Sequence, residues 1–225
     1  MCYTGRDADL WGSPMQLVGQ FDSPYVRRVA IALHLLDLPF TRNPISVFRD
    51  ADAMRRINPL GRVPSLILED GEVLIDSLAI LDHLDELVGP ERALMPPKGG
   101  ERRQALRRIA LATGAMDKAV AVVYESIIRP ADKIVPAWLA RLETQLSSAI
   151  AALELECGKG WPLDKRPMQP EITAACLVGF LKLRVPKAFP AAHYPALARL
   201  AAAMEKLPAF NATRPSANET IPSDA

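Results

Sequence analysis

An Asp-Gly pair constrains this chain more than any other feature. Glu69-Asp70-Gly71-Glu72 separates two short apolar runs, Ser65 to Leu68 and Val73 to Ile75. Asp-Gly is a strong signal of a tight hairpin turn, so the flanking runs are expected as antiparallel strands. The residues before them follow another rule. Met15 to Phe21 is short, apolar and bounded by turn residues, and reads as a strand. Pro24 suits the first turn of a helix, where its missing N–H is no loss, and Val26, Val29, Ala30, Leu33 and Leu36 follow at helical spacing. Pro39 ends that helix, and Phe40 to Ile45 reads as a second strand beside the first. Ala51 to Ile57 is expected as a short helix closed by Asn58-Pro59-Leu60-Gly61. Asp76 to Leu87 is expected as a helix with Leu78, Leu81 and Leu84 on one face. The early half then needs a parallel crossover and the later half is a hairpin. Together they make a small mixed four-stranded sheet with helices against it.

Val88 to Gly100 is rich in Gly and Pro and reads as a linker. Everything beyond it looks helical. Leu106, Ile109, Ala110, Thr113, Met116 and Val120 form one stripe, in a helix running to about Ile128 and ended by Pro130. Leu139, Leu142, Leu146, Ala149, Ile150 and Leu153 form another. Gly158 to Pro170 reads as a loop. Glu171 to Val185 is apolar nearly all round, which marks a buried central helix. Pro195 to Leu207 supplies a last amphipathic helix, and the polar tail from Thr213 onward is expected to fray. The expected class is therefore α/β plus all-α: a sheet domain over 15–88, a linker over 89–100, an all-helical bundle domain over 101–215 and a tail over 216–225. Residues 1–14 lack a basic start and an apolar core; they are expected to be an extension outside the fold, with Met15 as the native beginning.

The 225 residues carry a net charge of +1 with both signs mixed, which gives no pull toward nucleic acid or an anionic membrane. No run of about eighteen apolar residues exists to span a bilayer. Cys2, Cys157 and Cys176 form neither a disulfide framework nor a metal cluster, and a sparse, odd count suits a reducing cytoplasm. His34, His83 and His193 give no zinc motif; the first two are expected as partly buried packing residues.

Three short motifs carry candidate chemistry. A cis Val63-Pro64 bond would free the Val63 N–H and C=O to pair with an extended peptide; a trans bond at the start of a strand is the plain alternative. Asp76-Ser77 opens a helix. The Ser77 N–H and hydroxyl could hold a ligand carboxylate while Asp76 holds an ammonium group, or Asp76 could be a helix cap alone. Ser23 precedes Pro24 at the start of the first helix, where a hydroxyl and the helix field would lower the pKa of a ligand thiol. The alternative is again a cap, with Asp22 as a rival for it. Arg49 and Arg62 flank the same region, and either could pair with a ligand carboxylate.

Taken together, Ser23-Pro24-Tyr25-Val26-Arg27-Arg28, Asn58 to Pro64, Asp76-Ser77 and Gln169-Pro170-Glu171-Ile172-Thr173 resemble the glutathione transferase superfamily over nearly all of Met15 to about Pro215. The resemblance implies a thioredoxin-like first domain, a cis-proline at Pro64 and a cytoplasmic homodimer with its cleft near the subunit interface. It implies glutathione as co-substrate and no metal. Ser23 would act on the thiol, Val63 would hold the cysteinyl backbone, Asp76 and Ser77 the γ-glutamyl end, and Arg49 and Arg62 the glycyl carboxylate. A small hydrophobic electrophile would sit against Tyr25, Met116, Val120 and Tyr124, giving a detoxifying conjugation. Another glutathione-dependent reaction (isomerase, reductive dehalogenase or lyase) stays open, as does a non-catalytic binding or regulatory role on the same fold. Met168 stands where a capping hydroxyl is common, so that helix is expected to lean on Glu171 or on water.

Overall fold

The computed structural model describes residues 14–161 and 166–219. The segment 1–13, most of the expected extension, lies outside them, as does 220–225. Strands β1 (Met15–Val18), β2 (Phe40–Asn43), β3 (Ser65–Ile67) and β4 (Val73–Ile75) form one sheet in the order β2-β1-β3-β4. β1 and β2 are parallel, with Met15 opposite Phe40. β3 is antiparallel to β1, Leu17 facing Leu66, and to β4, Leu66 facing Leu74. The helix α1 (Pro24–Leu35) makes the crossover that a parallel pair requires. The short α2 (Ala51–Ile57) and then α3 (Ser77–Val88), which leaves β4 directly, complete a thioredoxin-like domain with a mixed four-stranded sheet.

Beyond it the chain is helical: α4 (Gly99–Val123), α5 (Pro136–Gly158), α6 (Gln169–Arg184), α7 (Pro195–Met204) and α8 (Pro208–Ala212). α6 is buried at every residue from Gln169 to Val178 and packs on α1, α4 and α7, so it is the axis that joins the two halves. Met168 cannot cap it by a hydroxyl; the Glu171 carboxylate reaches back instead and accepts the Met168 N–H at 2.9 Å.

Four expectations change. The strands end earlier than the apolar runs do, at Val18, Asn43 and Ile67. The buried stripe of α4 runs through Ala105, Ile109, Ala112, Ala115, Met116 and Ala119, while Leu106 is 42% exposed. Small residues let α5 and α6 approach α4 closely, and that rotates the buried face off the largest side chains. The last expected helix stops at Met204, short of Leu207, and a further helix follows it, started by Pro208. The tail does not fray at Thr213: that residue is fully buried, and Glu219 is also buried, against the first domain.

Candidate functional site

A cleft of about 420 Å³ lies between the sheet domain and α4 and α6. It collects Ser23, Tyr25, Arg49, Arg62, Val63, Pro64, Asp76, Ser77, Val120 and Tyr124. Met116 is the exception. It is fully buried in the core and absent from the cleft wall, because the rotation of α4 turns it inward.

Ser23 caps α1. Its Oγ accepts the Val26 N–H at 3.4 Å, and Pro24 occupies the first helical position. That cap uses a lone pair, and the Ser23 hydroxyl donates to no group among the described residues. The cap and a thiol-directed hydroxyl are therefore compatible rather than rival roles. Asp22 does not compete for the cap. Its carboxylate turns to Arg184 on α6, 2.9 Å away, and burial pushes its pKa up against the pull of that guanidinium.

Asp76 behaves similarly. Oδ1 accepts the Leu78 N–H at 2.8 Å, while Oδ2 takes no hydrogen bond among the described residues. Its φ of 68° is left-handed, a conformation that costs a non-glycine residue on the order of 1–3 kcal/mol. The strained turn lifts the carboxylate to the exposed rim of the cleft, with Ser77 buried at the first turn of α3 beneath it. The Val63–Pro64 peptide bond is cis. The turn leading to it is clamped by buried Asn58, whose Nδ2 donates to the Arg62 carbonyl at 2.8 Å and whose Oδ1 accepts the Leu60 N–H at 2.9 Å.

The Tyr25 ring lines the cleft, but its hydroxyl is committed to α4, facing the Thr113 carbonyl and the Asp117 carboxylate. Burial, with Asp117 second, pushes its pKa far up, so Tyr25 offers no phenolate. Tyr124 opens a π-helical turn (Tyr124–Ile128) that continues α4, and its ring meets Phe48 edge-on at 5.7 Å. Such turns shift a side chain out of the α-helical register, here toward the cleft. Behind the site, Arg28 is buried with Nε and Nη1 unpartnered among the described residues; desolvation holds its pKa down at about 10.

Phe48, Arg184 and Gly19 are not singled out in the sequence, and Asp22 and Asn58 read there only as a rival cap and as part of a turn. Gly19 has φ 129°, and a Cβ there would lie 2.6 Å from Val26 Cγ2 and 2.9 Å from Val63 Cβ. Only glycine lets the loop after β1 come so close to Val63. A glycine just past an apolar strand was the one available signal.

Residues 17–92 match the family model described as the glutathione S-transferase N-terminal domain. A solved glutathione transferase family member from Pseudomonas fluorescens Pf-5, with bound glutathione, superposes with TM-score 0.79 at 34% identity, over 90% of this chain and 99% of that one. This chain belongs to the glutathione S-transferase family. Among other relatives of this transferase-family chain is an uncharacterized GST-like protein, YibF, of Escherichia coli K12. It is 31% identical over 170 residues, which are 76% of this chain and 83% of that protein. A probable maleylacetoacetate isomerase 2 of Drosophila melanogaster is 27% identical over 208 residues, 87% of this chain and 85% of that protein. No group of three or more His, Cys, Asp or Glu side chains poised for a metal occurs among the described residues.

Proposed function

We propose that this protein binds glutathione in the cleft and joins its thiol sulfur to a small electrophile, with Ser23 holding the thiolate. The observation that carries the reading is the Ser23 hydroxyl, whose proton finds no acceptor among the described residues and which sits at the N-terminal end of α1 inside the cleft. A hydrogen bond donated to the sulfur, together with the helix field, favours the ionised thiol. The thiol proton passes to solvent, the thiolate forms the C–S bond, and the leaving group departs with its electron pair. Val63 would hold the cysteinyl backbone, Asp76 the ammonium and Ser77 the carboxylate of the γ-glutamyl end. Arg49 and Arg62 would hold the glycyl carboxylate. Val120, Tyr124 and Phe48 offer an apolar wall to the electrophile. The assembly is proposed as a cytoplasmic homodimer serving detoxification.

A second reading uses the same thiolate to add to, and leave from, an unsaturated substrate, which isomerises it. The likeness to a probable maleylacetoacetate isomerase favours it. Both readings share the first test: glutathione binding by calorimetry with a thiolate absorbance titration, on the parent protein and on Ser23→Ala. The parent is expected to depress the bound thiol pKa below the free cysteine value of about 8.5. The variant is expected to bind glutathione but lose that depression. An electrophile screen and an isomerisation assay then separate the two. A protein that binds glutathione without depressing the pKa would be a binding or regulatory member instead. No binding at millimolar glutathione would end all three.

A further inference from the structure

The loop that delivers Ser23 is a tight turn between β1 and α1, closed by the Ser23 N–H donating to the Gln20 carbonyl at 3.2 Å. Phe21 lies inside that turn. Its N–H points out of it and donates to Oε1 of Glu219, 3.5 Å away and 198 positions later in the chain. The same oxygen forms an ion pair with Arg42 on β2, and the Arg42 guanidinium lies 3.5 Å from the centroid of the Phe21 ring. Oε2 of Glu219 accepts the Ser216 N–H at 3.0 Å, which holds the carboxylate in place from its own side. The chain leading there is anchored as well: Arg27 on α1 donates from Nε to the Thr213 carbonyl at 3.1 Å. One buried carboxylate thus ties the C-terminal segment, β2 and the Ser23 turn at a single point.

We infer that Glu219 is a positioning residue: with Arg42 it straps the β1–α1 turn so that the Ser23 hydroxyl is presented to the ligand sulfur. The inference deepens the proposed reaction and rests on Ser23 acting on the thiol. The physical reason lies in the donor that Glu219 satisfies. The Phe21 N–H is buried, and a buried donor without an acceptor is costly enough for the turn to reorganise toward water. Ser23 lies two residues away, so a turn that reorganises moves its hydroxyl first. The strap does not touch the glutathione contacts assigned to Val63, Asp76 and Ser77. Its loss should alter thiol ionisation more than binding.

Glu219→Ala and Arg42→Gln, in the full chain, remove the two sides of the strap separately, with Glu143→Gln on the exposed face of α5 as a control. Hydrogen exchange of the Phe21, Asp22, Ser23 and Tyr25 amides is followed first, without ligand. Glutathione affinity and the bound thiol pKa are then measured. Both strap variants are expected to speed exchange in the turn by more than any fall in global stability accounts for. They should raise the bound thiol pKa by roughly one unit, a tenfold loss of thiolate below both pKa values. Glutathione affinity should move less than about threefold, which is under about half of that effect on the scale of free energy per pKa unit. Glu219→Asp should restore part of the pKa depression. Unchanged exchange in both variants would overturn the strap. Faster exchange with an unchanged thiol pKa would leave a structural tie and overturn the positioning role. A parent protein that fails to bind glutathione would sink the proposed reaction and this role with it, while the exchange data would still report whether the tie exists.

Discussion

At the scale of single residues, the site is made of groups that fulfil a structural duty with one atom and leave another for a ligand. Ser23 caps with a lone pair and keeps its proton; Asp76 caps with Oδ1 and keeps Oδ2. Buried thiols, by contrast, are poor rivals for the chemistry: burial pushes Cys157 up to about 11 and Cys176 up to about 12. Gly19 shows how a residue without a side chain shapes the site. Its Cβ would collide with both Val26 and Val63 at a φ that L residues rarely adopt. Gly19→Ala is expected to destabilise the protein by roughly 2–4 kcal/mol, the range of overpacking combined with backbone strain. It should also weaken glutathione binding by displacing Val63. Chemical denaturation and calorimetry read the two effects separately, and a stable variant with parental affinity would contradict the argument.

At the scale of elements, α4 decides which side chains face the cleft. Its buried stripe is built on alanines, so α5 and α6 pack tightly against it and Met116 is drawn into the core. The π turn at its end then carries Tyr124 outward to meet Phe48. The two residues should therefore separate in mutagenesis. Met116→Ala is expected to cost roughly 2–4 kcal/mol of stability, as buried truncations do, with glutathione affinity retained. Tyr124→Ala should leave the melting temperature near parental and change KM for the electrophile. If Met116→Ala shifted electrophile KM without a loss of stability, the core assignment would fail. α6 shows the complementary behaviour. Its even burial leaves no amphipathic face to read, and its start is set by Glu171 folding back to the Met168 N–H.

At the scale of the whole molecule, the two halves are joined by ion pairs, one of which lies in the cleft. Arg27 on α1 pairs with Glu205 at 2.8 Å, and Arg184 on α6 pairs with Asp22 beside Ser23 at 2.9 Å. The second pair is expected to leave a pH signature. Burial raises the Asp22 pKa above its ordinary 3.8, so within that window the folded protein holds a proton the unfolded chain has released. Unfolded-state proton binding is then the smaller, and this contribution to stability falls as pH rises from 3.8 through the raised folded value. Asp85 and Glu171 shift the same way. Asp22→Asn is expected to flatten part of that fall when denaturation free energies are compared at a series of acid pH values above 3.8. An identical slope in parent and variant would show that Asp22 titrates as an ordinary carboxyl.

Local chemistry alone determined much of this protein. Asp70-Gly71 fixed the hairpin, Pro24 and Ser23 the start of α1, Asp76 the start of α3, and the apolar run after Pro170 the central helix. Each depends on neighbours within a few positions, so it is written in sequence order. The family resemblance named most of the cleft the same way, motif by motif. What only the tertiary structure decided depends on partners far apart in the chain. The rotation of α4 comes from α5 and α6, the Asp22–Arg184 pair spans 162 positions, and Glu219 reaches Phe21 across 198. A polar tail reads as solvated because its composition cannot bury a core. One buried carboxylate with three donors waiting in the first domain and its own turn was enough to bring it in.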